Sequence, residues 1–559
     1  MHKDIIVNEV TSCSSIELEQ MSGVYIYSSN EDYHKADLLG IALASKDKAY
    51  YLNVSDVLND KKLIDWLENE RARKVLFDSK AGEVLLYRYG INLAGVSFDL
   101  LLASYLIDAS LKNDVRGIFS YFGISLAQDS SSRSQLCGEI ALGLSNLVDD
   151  TKDKLEEIDA LNLYEQIELP LAKVLARMEI EGFPLNKETL LEIGAAYPKK
   201  MEEISAKIYE FAGKEFNIAS PKQVGEVLFD DLNLTNPKKY STAVGVLTKI
   251  ADEHPIVDLI LDYRKYAKLQ GTYIDGLVNE IYEDGKLHTT FNQALTTTGR
   301  LSSTRPNLQN ISIRDEEGRE IRKAFYYDDE ATYIVSFDYS QIELRIMAAL
   351  ASSPKLIKAF KEGLDIHTVT AQHLFHKQDI SPNERRMAKA VNFGIIYGIS
   401  DWGLSEQINS TVKEAKTIIE SFYATYPEVR TFVDETIKKV ENDGYVTTLL
   451  GRRRYLPGIN DRSFQVRSFA KRAAMNAPIQ GTAADLIKLA MVKIYDYLNE
   501  GNYKSKLVLQ IHDELIFAVP QDELDEIISK IKHIMEHVYE LDVPLSVDVG
   551  YGKTWFDTL

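Results

Sequence analysis

The chain has 559 residues, of which 45% are hydrophobic and 26% are charged. This length predicts about three or four domains, and the composition, with only 30 Gly and 14 Pro, excludes a disordered, collagen-like or low-complexity chain. The net charge of −20 argues, taken alone, against a nucleic-acid partner, because phosphate binding depends on Lys and Arg.

Residues 1 to about 160 are predicted to form an α/β domain. The apolar runs GVYIYS and LLGIALAS indicate strands, and DVLNDKKLIDWLENER has helical spacing. The opening MHKDIIVNEV lacks the apolar segment of a signal peptide, and no run of about 18 apolar residues predicts a membrane span. Cys13 and Cys137 stand far apart, so we expect neither a disulfide framework nor a zinc site, in a cytoplasmic protein.

The rest of the chain begins with a long helical pattern after the acidic stretch DDTKDKLEEID, and we place the domain boundary near residue 160. Residues 186 to about 282 are almost entirely of helical spacing, interrupted at NLTNPKKYST, which predicts an extended helical arm. Further on, TYIVSFDYSQIELRIMAAL changes from strand to helix spacing after Asp338. The segment KLVLQIHDELIFAVP predicts two strands joined at His512 and Asp513.

Asp338 and Asp513 are candidate ligands of divalent metal ions. Each ends a predicted strand, and Glu514 stands beside Asp513. Mg²⁺ uses one or two carboxylates together with substrate phosphates, and two such ions about 3.5 to 4 Å apart can stabilise both the attacking and the leaving oxygen of a displacement at phosphorus. Taken singly, each aspartate is better explained as an ordinary turn residue, as most Asp at strand ends are.

The segment NERRMAKAVNFGIIYG predicts a helix with one face that runs from cationic to aromatic. Arg385, Lys389, Phe393 and Tyr397 recur at steps of four and would span about 18 Å along the helix. Such a face can bind a triphosphate with its cations and stack a base on its aromatic ring. The alternative is an amphipathic helix with core aromatics, which the glycines within the segment make less favoured.

Six segments together resemble the family A DNA polymerases. Those that resemble motifs A, B and C are DYSQIELR (338–345), RRMAKAVNFGIIYG (385–398) and QIHDE (510–514). The others are TTTGRLSSTRPNLQNI (296–311), EGLDIH (362–367) and RAAMNAPIQGTAADLIK (472–488). The similarity extends over the whole chain and is strongest to the Klenow-type large fragments of bacterial members, and agreement of several long motifs is very specific.

The resemblance implies a multidomain protein of α/β and α+β type. A ribonuclease H-like domain of the 3′ to 5′ exonuclease type would occupy residues 1–160, and a right-hand polymerase domain would occupy 161–559. Its expected parts are the thumb at about 186–285, the palm at about 286–351 and 446–559, and the fingers at about 352–445. The resemblance further implies a monomeric enzyme of DNA replication and repair in the bacterial cytoplasm or nucleoid, whose partners are primed DNA template and dNTPs.

The same resemblance implies roles for individual residues. Asp338 and Asp513 would bind two Mg²⁺ ions, for which Mn²⁺ can substitute, with the backbone carbonyl of Tyr339 as a further ligand. Glu514 would be either a weak metal contact or a residue that bonds to the ligands. Lys389 would also act as a general acid toward pyrophosphate. The expected nucleotide-binding residues are Arg385, Lys389, His367, Phe393, Tyr397, Gln341 and Glu343. The expected DNA-binding residues, which would read the primer and template in the minor groove, are Arg300, Asn476, Gln480, Gln510 and His512.

Glu343 matches the family's steric gate, whose side chain leaves no room for a ribose 2′-hydroxyl. It predicts a preference for deoxynucleotides and argues against a single-subunit RNA polymerase, which is the alternative within nucleotidyl transfer. Phe393, where some members have Tyr, implies discrimination against dideoxynucleotides. An alternative from another class is a catalytically silent DNA-binding scaffold, against which the retention of both aspartates and of the cationic helix face argues.

The N-terminal domain departs from the family at the positions that would carry exonuclease chemistry. Where proofreading members have Asp-x-Glu, this chain has Ser28, Ser29 and Asn30, and where a later Asp is expected it has Gly82. The neighbouring acids are out of register, and a slip of one residue in a strand points a side chain to the opposite face. A two-metal nuclease without its ligands cannot position its ions, so we expect no proofreading.

Overall fold

A computed structural model describes residues 6–126, 132–236, 240–311 and 316–559. The residues MHKDI of the N-terminus and the PKK of the predicted interruption lie outside this part of the chain. The chain divides into two compact units. The first comprises Met1–Glu181, Phe291–Ser303 and Ser336–Val549, and the second Gly182–Thr290, Thr304–Val335 and Gly550–Leu559. None of the helices that the model describes is both long and apolar enough to span a membrane.

The N-terminal part of the first unit is built on a six-stranded mixed sheet. In spatial order its strands are Val7–Glu9, Ala49–Asn53, Leu38–Ala44, Gly23–Ser28, Lys74–Leu76 and Val96–Asp99. The two pairings of Leu38–Ala44 are antiparallel, and the other three are parallel. Leu38–Ala44 is buried along almost its whole length, as expected for an apolar strand that is covered on both faces.

Helices cover this sheet and connect it to the rest of the unit. They are Val54–Asn59, Lys61–Leu67, Ser79–Tyr87, Leu100–Ile107, Val115–Tyr121, Arg133–Glu157 and the nearly continuous helical segment Leu161–Glu181. Small residues let Arg133–Glu157 approach the sheet closely, since a side chain added at Gly23 would meet the carbonyl oxygen of Ala141. Within Leu161–Glu181, residues Tyr164–Glu168 form a π-helical turn, a feature that is frequent at functional positions.

A four-stranded sheet has the spatial order Lys506–Ile511, Glu514–Pro520, Thr332–Tyr339 and Val547–Gly552. The first unit takes in the last two of these strands from Ser336 onward and as far as Val549. The first two strands form an antiparallel hairpin. The helices of the remainder of the first unit are Ile342–Leu350, Pro354–Lys361, Ile366–Phe375, Pro382–Ile396, Asp401–Ile408, Val412–Thr425, Pro427–Asp443, Phe464–Glu500 and Leu524–Glu536. A short hairpin pairs Tyr445–Thr447 with Arg453–Tyr455.

The second unit is mainly helical, as the spacing of residues 186 to 282 predicts. Its principal helices are Lys187–Gly194, Tyr197–Ala212, Ile256–Lys268 and Glu316–Ile321, with shorter turns between them. Tyr197–Ala212 packs against Ile256–Lys268, and their apolar faces share a core with Val224 and Leu228. A separate aromatic cluster joins Phe183, Phe325 and Trp555, the last of which belongs to the C-terminal turn.

A buried network of charges lies in the core of the first unit. Glu168, at the end of the π-helical turn, accepts hydrogen bonds from Arg452 and, at 2.8 Å, from Lys488. Arg452 donates through Nε to Asp485 at 2.8 Å, and Gln293 donates to Glu168 at 2.7 Å. The four charged side chains are almost completely buried. The network therefore joins helix Leu161–Glu181, the turn before Arg453–Tyr455 and helix Phe464–Glu500.

The pKa of Glu168 reflects these contacts. Burial alone would raise it, but Lys488 and Arg452 lower it to about 2. Burial also lowers the pKa of Lys488, whereas a guanidinium stays charged throughout the physiological range. The pair with Arg452 is therefore the more dependable of the two ion pairs that Glu168 makes.

Glu168→Gln should destabilise the protein by about 3 to 5 kcal/mol at pH 7, because it leaves buried cations without their counter-charge. Since the pKa of Glu168 in the folded protein lies below the ordinary value of 4.5, its contribution is complete above about pH 4.5 and is lost as the pH falls toward 2. Calorimetric unfolding of both proteins at pH 7 and pH 3.5 measures the difference. Glu165→Gln, at a half-exposed neighbour, is the control, and an equal effect of the two changes would contradict the prediction.

Candidate active site

Asp338 and Asp513 lie at adjacent positions of the four-stranded sheet. The amide of Tyr339 donates to the carbonyl oxygen of Asp513 at 3.1 Å, and the hydroxyl of Ser336 donates to Glu514 at 2.5 Å. These two bonds fix the end of strand Thr332–Tyr339 against the turn of the hairpin. The two aspartates that the sequence analysis singled out, which are 175 positions apart (513 − 338), are thus brought to one edge of one sheet.

Carboxylates at this edge repel one another. Asp338 is reached by solvent, but loss of part of its hydration and the charges of Glu514, Asp513 and Asp548 raise its pKa to about 7. Burial also raises the pKa of Asp513, although the neighbouring Arg300 opposes that change. A concentration of negative charge of this kind attracts a cation.

Few protein side chains are available as metal ligands beside Asp338 and Asp513. Among the described residues, no group of three or more His, Cys, Asp or Glu side chains is arranged to hold a metal ion. Two carboxylates in an open recess are nevertheless what Mg²⁺ uses when substrate phosphates and water supply its other ligands. The arrangement therefore fits an ion that binds together with its substrate.

Glu343 is the centre of a second polar group beside the aspartates. It is 6% exposed and lies on helix Ile342–Leu350. Arg300 donates to its Oε1 at 2.6 Å, and the hydroxyl of Tyr397 donates to its Oε2 at 2.9 Å. Burial raises the pKa of Glu343, while Arg300 and Tyr397 counteract that effect and Asp513 adds to it. Three of the expected site residues are therefore joined directly, close to one of the two aspartates.

The predicted cationic and aromatic helix is present as Pro382–Ile396. Its first turn is closed by a capping box between Ser381 and Glu384. Lys389 is exposed, Phe393 is half-buried, and Tyr397 lies one residue beyond the end of the helix. The face is thus helical over its first three members, and its last member reaches Glu343 from the helix terminus.

Arg385 and His367 differ in their surroundings, although both are expected to contact a triphosphate. The guanidinium of Arg385 is about half exposed and pairs with Asp365 at 2.6 Å. His367 is 3% exposed, and its Nδ1 lies 3.0 Å from the side-chain amide of Asn392. Burial lowers the pKa of His367 to about 4. At neutral pH this imidazole is uncharged.

The other expected DNA-binding and nucleotide-binding residues occupy two regions. Asn476 and Gln480 lie on the long helix Phe464–Glu500, where the amide of Asn476 is 3.5 Å from the carbonyl oxygen of Ile396. Gln510 is buried at the end of its strand and donates to the carbonyl oxygen of His512 at 2.5 Å. His512 is exposed in the hairpin turn. Gln341 precedes helix Ile342–Leu350 with φ of 53°.

The positions of the expected lost exonuclease site, Ser28, Asn30 and Gly82, carry no carboxylate. Ser28 ends strand Gly23–Ser28, and its hydroxyl donates to the carbonyl oxygen of Asn30 in the exposed turn that follows. A side chain added at Gly82 would come within 2.7 Å of Ile26. The two nearby acids, Asp78 and Asp99, each cap the N-terminus of a helix. The acids that remain are thus used structurally.

Two residues of the site were missed by the sequence analysis. Asp548, on strand Val547–Gly552, is close enough to Asp338 to raise its pKa. No local sequence pattern indicates this proximity, because it arises only from the pairing of strands in the sheet. Asp365, which pairs with Arg385, lies inside the EGLDIH segment already noted. Its place immediately before helix Ile366–Phe375 was a usable signal for an N-cap, and its carboxylate does accept from the amide of His367.

Comparison with known proteins adds independent information. A model of DNA polymerase family A matches residues 187–557, and a model of the DNA polymerase I ribonuclease H-like domain matches residues 24–131. The DNA polymerase I of Geobacillus stearothermophilus is 46% identical over 94% of this chain and 63% of its own length. That of Bacillus subtilis (strain 168) is 42% identical over 99% of this chain and 66% of its own length.

The chain therefore spans just under two thirds of the length of these curated relatives. A solved structure described as the POL domain of Pol1 from M. smegmatis in complex with DNA primer-template and dNTP superimposes with a TM-score of 0.90. It is 36% identical in sequence, and the alignment covers 96% of each chain.

Proposed function

The chain belongs to DNA polymerase family A, and we propose that it is a template-directed DNA polymerase that adds deoxynucleotides to the 3′ end of a DNA primer. The observation that carries this proposal is the placement of Asp338 and Asp513 beside the group of Arg300, Glu343 and Tyr397. The relative from M. smegmatis, whose structure contains DNA primer-template and dNTP, supports the choice of substrates.

Divalent metal ions are part of the proposal, with two Mg²⁺ as the expected ions and Mn²⁺ as a substitute. Asp338 and Asp513 would hold them, with the carbonyl of Tyr339 as a further ligand. Loss of hydration and the charges of Glu514, Asp513 and Asp548 raise the pKa of Asp338, and this supports the assignment, because a bound cation relieves the repulsion. When bound, the ions supply a lowered pKa for the primer 3′-hydroxyl and neutralise charge on the leaving pyrophosphate.

The residues of helix Pro382–Ile396 are proposed to bind the incoming nucleotide. The exposed Lys389 and the half-exposed Arg385 are available to phosphate oxygens, and Lys389 is also the proposed proton donor to pyrophosphate. His367 is neutral at pH 7 because of its low pKa, so it would contribute a hydrogen bond and no charge. Phe393 would stack on the base. To bind phosphate, Arg385 must give up its ion pair with Asp365. Without nucleotide, this ion pair keeps the guanidinium in place.

Asp513→Ala should reduce the single-turnover rate of primer extension about a thousandfold, since a metal ion contributes several kcal/mol to such a transition state and each 1.36 kcal/mol is a factor of ten. Binding of primed template, measured by fluorescence anisotropy, should persist. Asp522→Ala, at an exposed position just after the same hairpin, is the control and should extend normally. Full-length product from Asp513→Ala at the wild-type rate would overturn the two-metal assignment, and wild-type protein that binds DNA without extending it would favour the scaffold alternative.

Glu343→Ala should lower the preference for dNTP over rNTP at least about tenfold, because it opens space beside the sugar. The measurement is the ratio of kcat/KM for the two nucleotides on one primed template. Glu343→Gln keeps the volume, and its oxygen can accept from Arg300 while its amide donates to the hydroxyl of Tyr397, so it should retain most of the preference. Unchanged discrimination in Glu343→Ala would exclude this side chain as the steric gate, and a wild-type preference for rNTP would favour an RNA polymerase.

We also propose that the ribonuclease H-like domain does not proofread. Ser28 and Asn30 are joined by a hydrogen bond at the end of a strand, and Gly82 packs against Ile26, so none of the three positions carries a carboxylate. Wild-type protein incubated without dNTPs should leave a mismatched 3′ nucleotide in place with either Mg²⁺ or Mn²⁺. Extension of a matched primer by the same preparation shows that the protein is active. Metal-dependent shortening that persists in the Asp513→Ala variant would disprove the proposal.

A further inference from the structure

Arg300 is carried by a loop of irregular backbone, Thr296–Arg300, which we call the 296–300 loop. Gly299 has φ of 83°, a conformation that other residues adopt only with strain. The hydroxyl of Thr296 donates to the carbonyl oxygen of Arg300 at 2.6 Å, so the two ends of the loop are tied together. A displacement at Thr296 is therefore transmitted to the backbone that carries the Arg300 side chain.

The outer contact of this loop comes from the ribonuclease H-like domain. Tyr105, on helix Leu100–Ile107, donates its hydroxyl to the carbonyl oxygen of Thr296 at 2.5 Å. Tyr105 is 7% exposed. The bond spans 191 positions in sequence, and both residues lie within the first compact unit. The bond is partly shielded from solvent, and a shielded carbonyl that loses its donor favours movement of the loop toward a new partner.

The buried charge network supports the same loop from beneath. The guanidinium of Arg452 lies against Gly299, where an added side chain would come within 2.6 Å of Nε. It also lies 5.8 Å from the ring centre of Tyr105. Arg452 is itself held by Glu168 and Asp485. Arg452 thus supports the loop at Gly299, and the hydrogen bond from the hydroxyl of Tyr105 determines the position of its first residue, Thr296.

Resting on the proposed function, we infer that Tyr105 is a positioning residue for sugar selection: it holds the 296–300 loop so that Arg300 orients the carboxylate of Glu343. The sequence of contacts is Tyr105 to Thr296, Thr296 to Arg300, and Arg300 to Glu343 at 2.6 Å. Tyr105 touches neither nucleotide nor metal in this scheme. A domain without exonuclease chemistry would thereby contribute to the accuracy of the polymerase site.

The test is the ratio of kcat/KM for dNTP to that for rNTP in Tyr105→Phe, which removes one oxygen atom. We expect the ratio to fall about three- to tenfold, the effect of one lost hydrogen bond. Thr296→Val, which breaks the next bond in the sequence of contacts, should have the same effect. The matched control is Tyr164→Phe: Tyr164 is also a buried tyrosine whose hydroxyl bonds the backbone of Asp99, at the start of the same helix. Tyr164→Phe should leave the ratio unchanged even if it lowers the melting temperature as much as Tyr105→Phe does.

A double-mutant cycle separates positioning from general loosening. In an Arg300→Ala background, Tyr105→Phe should produce no further change in the ratio, because the residue through which it acts is gone. Independent, multiplying effects of the two changes would overturn the inference, as would a Tyr105→Phe ratio equal to that of Tyr164→Phe. If Glu343→Ala leaves sugar discrimination intact, the gate itself is wrong and the inference falls with it. If Glu343→Ala behaves as expected while Tyr105→Phe behaves like wild type, only the inference fails.

Discussion

Four buried charges hold together parts of the chain that are far apart in sequence. Glu168, Arg452, Asp485 and Lys488 are almost inaccessible to solvent, and each ion removed from water without a partner would cost several kcal/mol. The three segments that carry them must therefore meet in one arrangement, since any slip leaves a charge unpaired. The loop that carries Arg300 lies directly on this network, so the geometry beside Glu343 and Asp513 depends on it.

The two charged sites of the first unit differ in whether opposite or like charges lie next to each other. Around Glu168, opposite charges meet, and its pKa is lowered to about 2. Around Asp338, like charges meet, and its pKa is raised to about 7. The first arrangement favours the folded state at neutral pH, whereas the second opposes it. Groups held in an unfavourable local state at a cleft are typical of sites that bind a charged ligand.

Much of this organisation was predictable from the sequence. The expected fold class, a family A polymerase domain preceded by a ribonuclease H-like domain, is confirmed by the family models and the structural relative. It could be predicted because long motifs and changes from strand to helix spacing are local signals in the sequence. The roles of the site residues and the limits of the domains remain predictions. Contacts such as Asp548 with Asp338, or Tyr105 with Thr296, could not be predicted, since they depend on how sheets and helices meet and leave no periodic pattern. Tyr397 illustrates the limit within a motif: steps of four place it on the helix face, but the helix ends at Ile396.

The position of Glu168 bears on how this protein can be shortened. The match to the polymerase family model starts at residue 187, which makes that point an attractive place to cut. A fragment that begins there would lack Glu168 and would enclose Arg452 and Lys488 with Asp485 as the one remaining acid of the network. It would also lose the donor to Thr296. The smallest fragment that keeps the buried charge network is therefore longer than the segment that the polymerase family model matches, because it must include helix Leu161–Glu181.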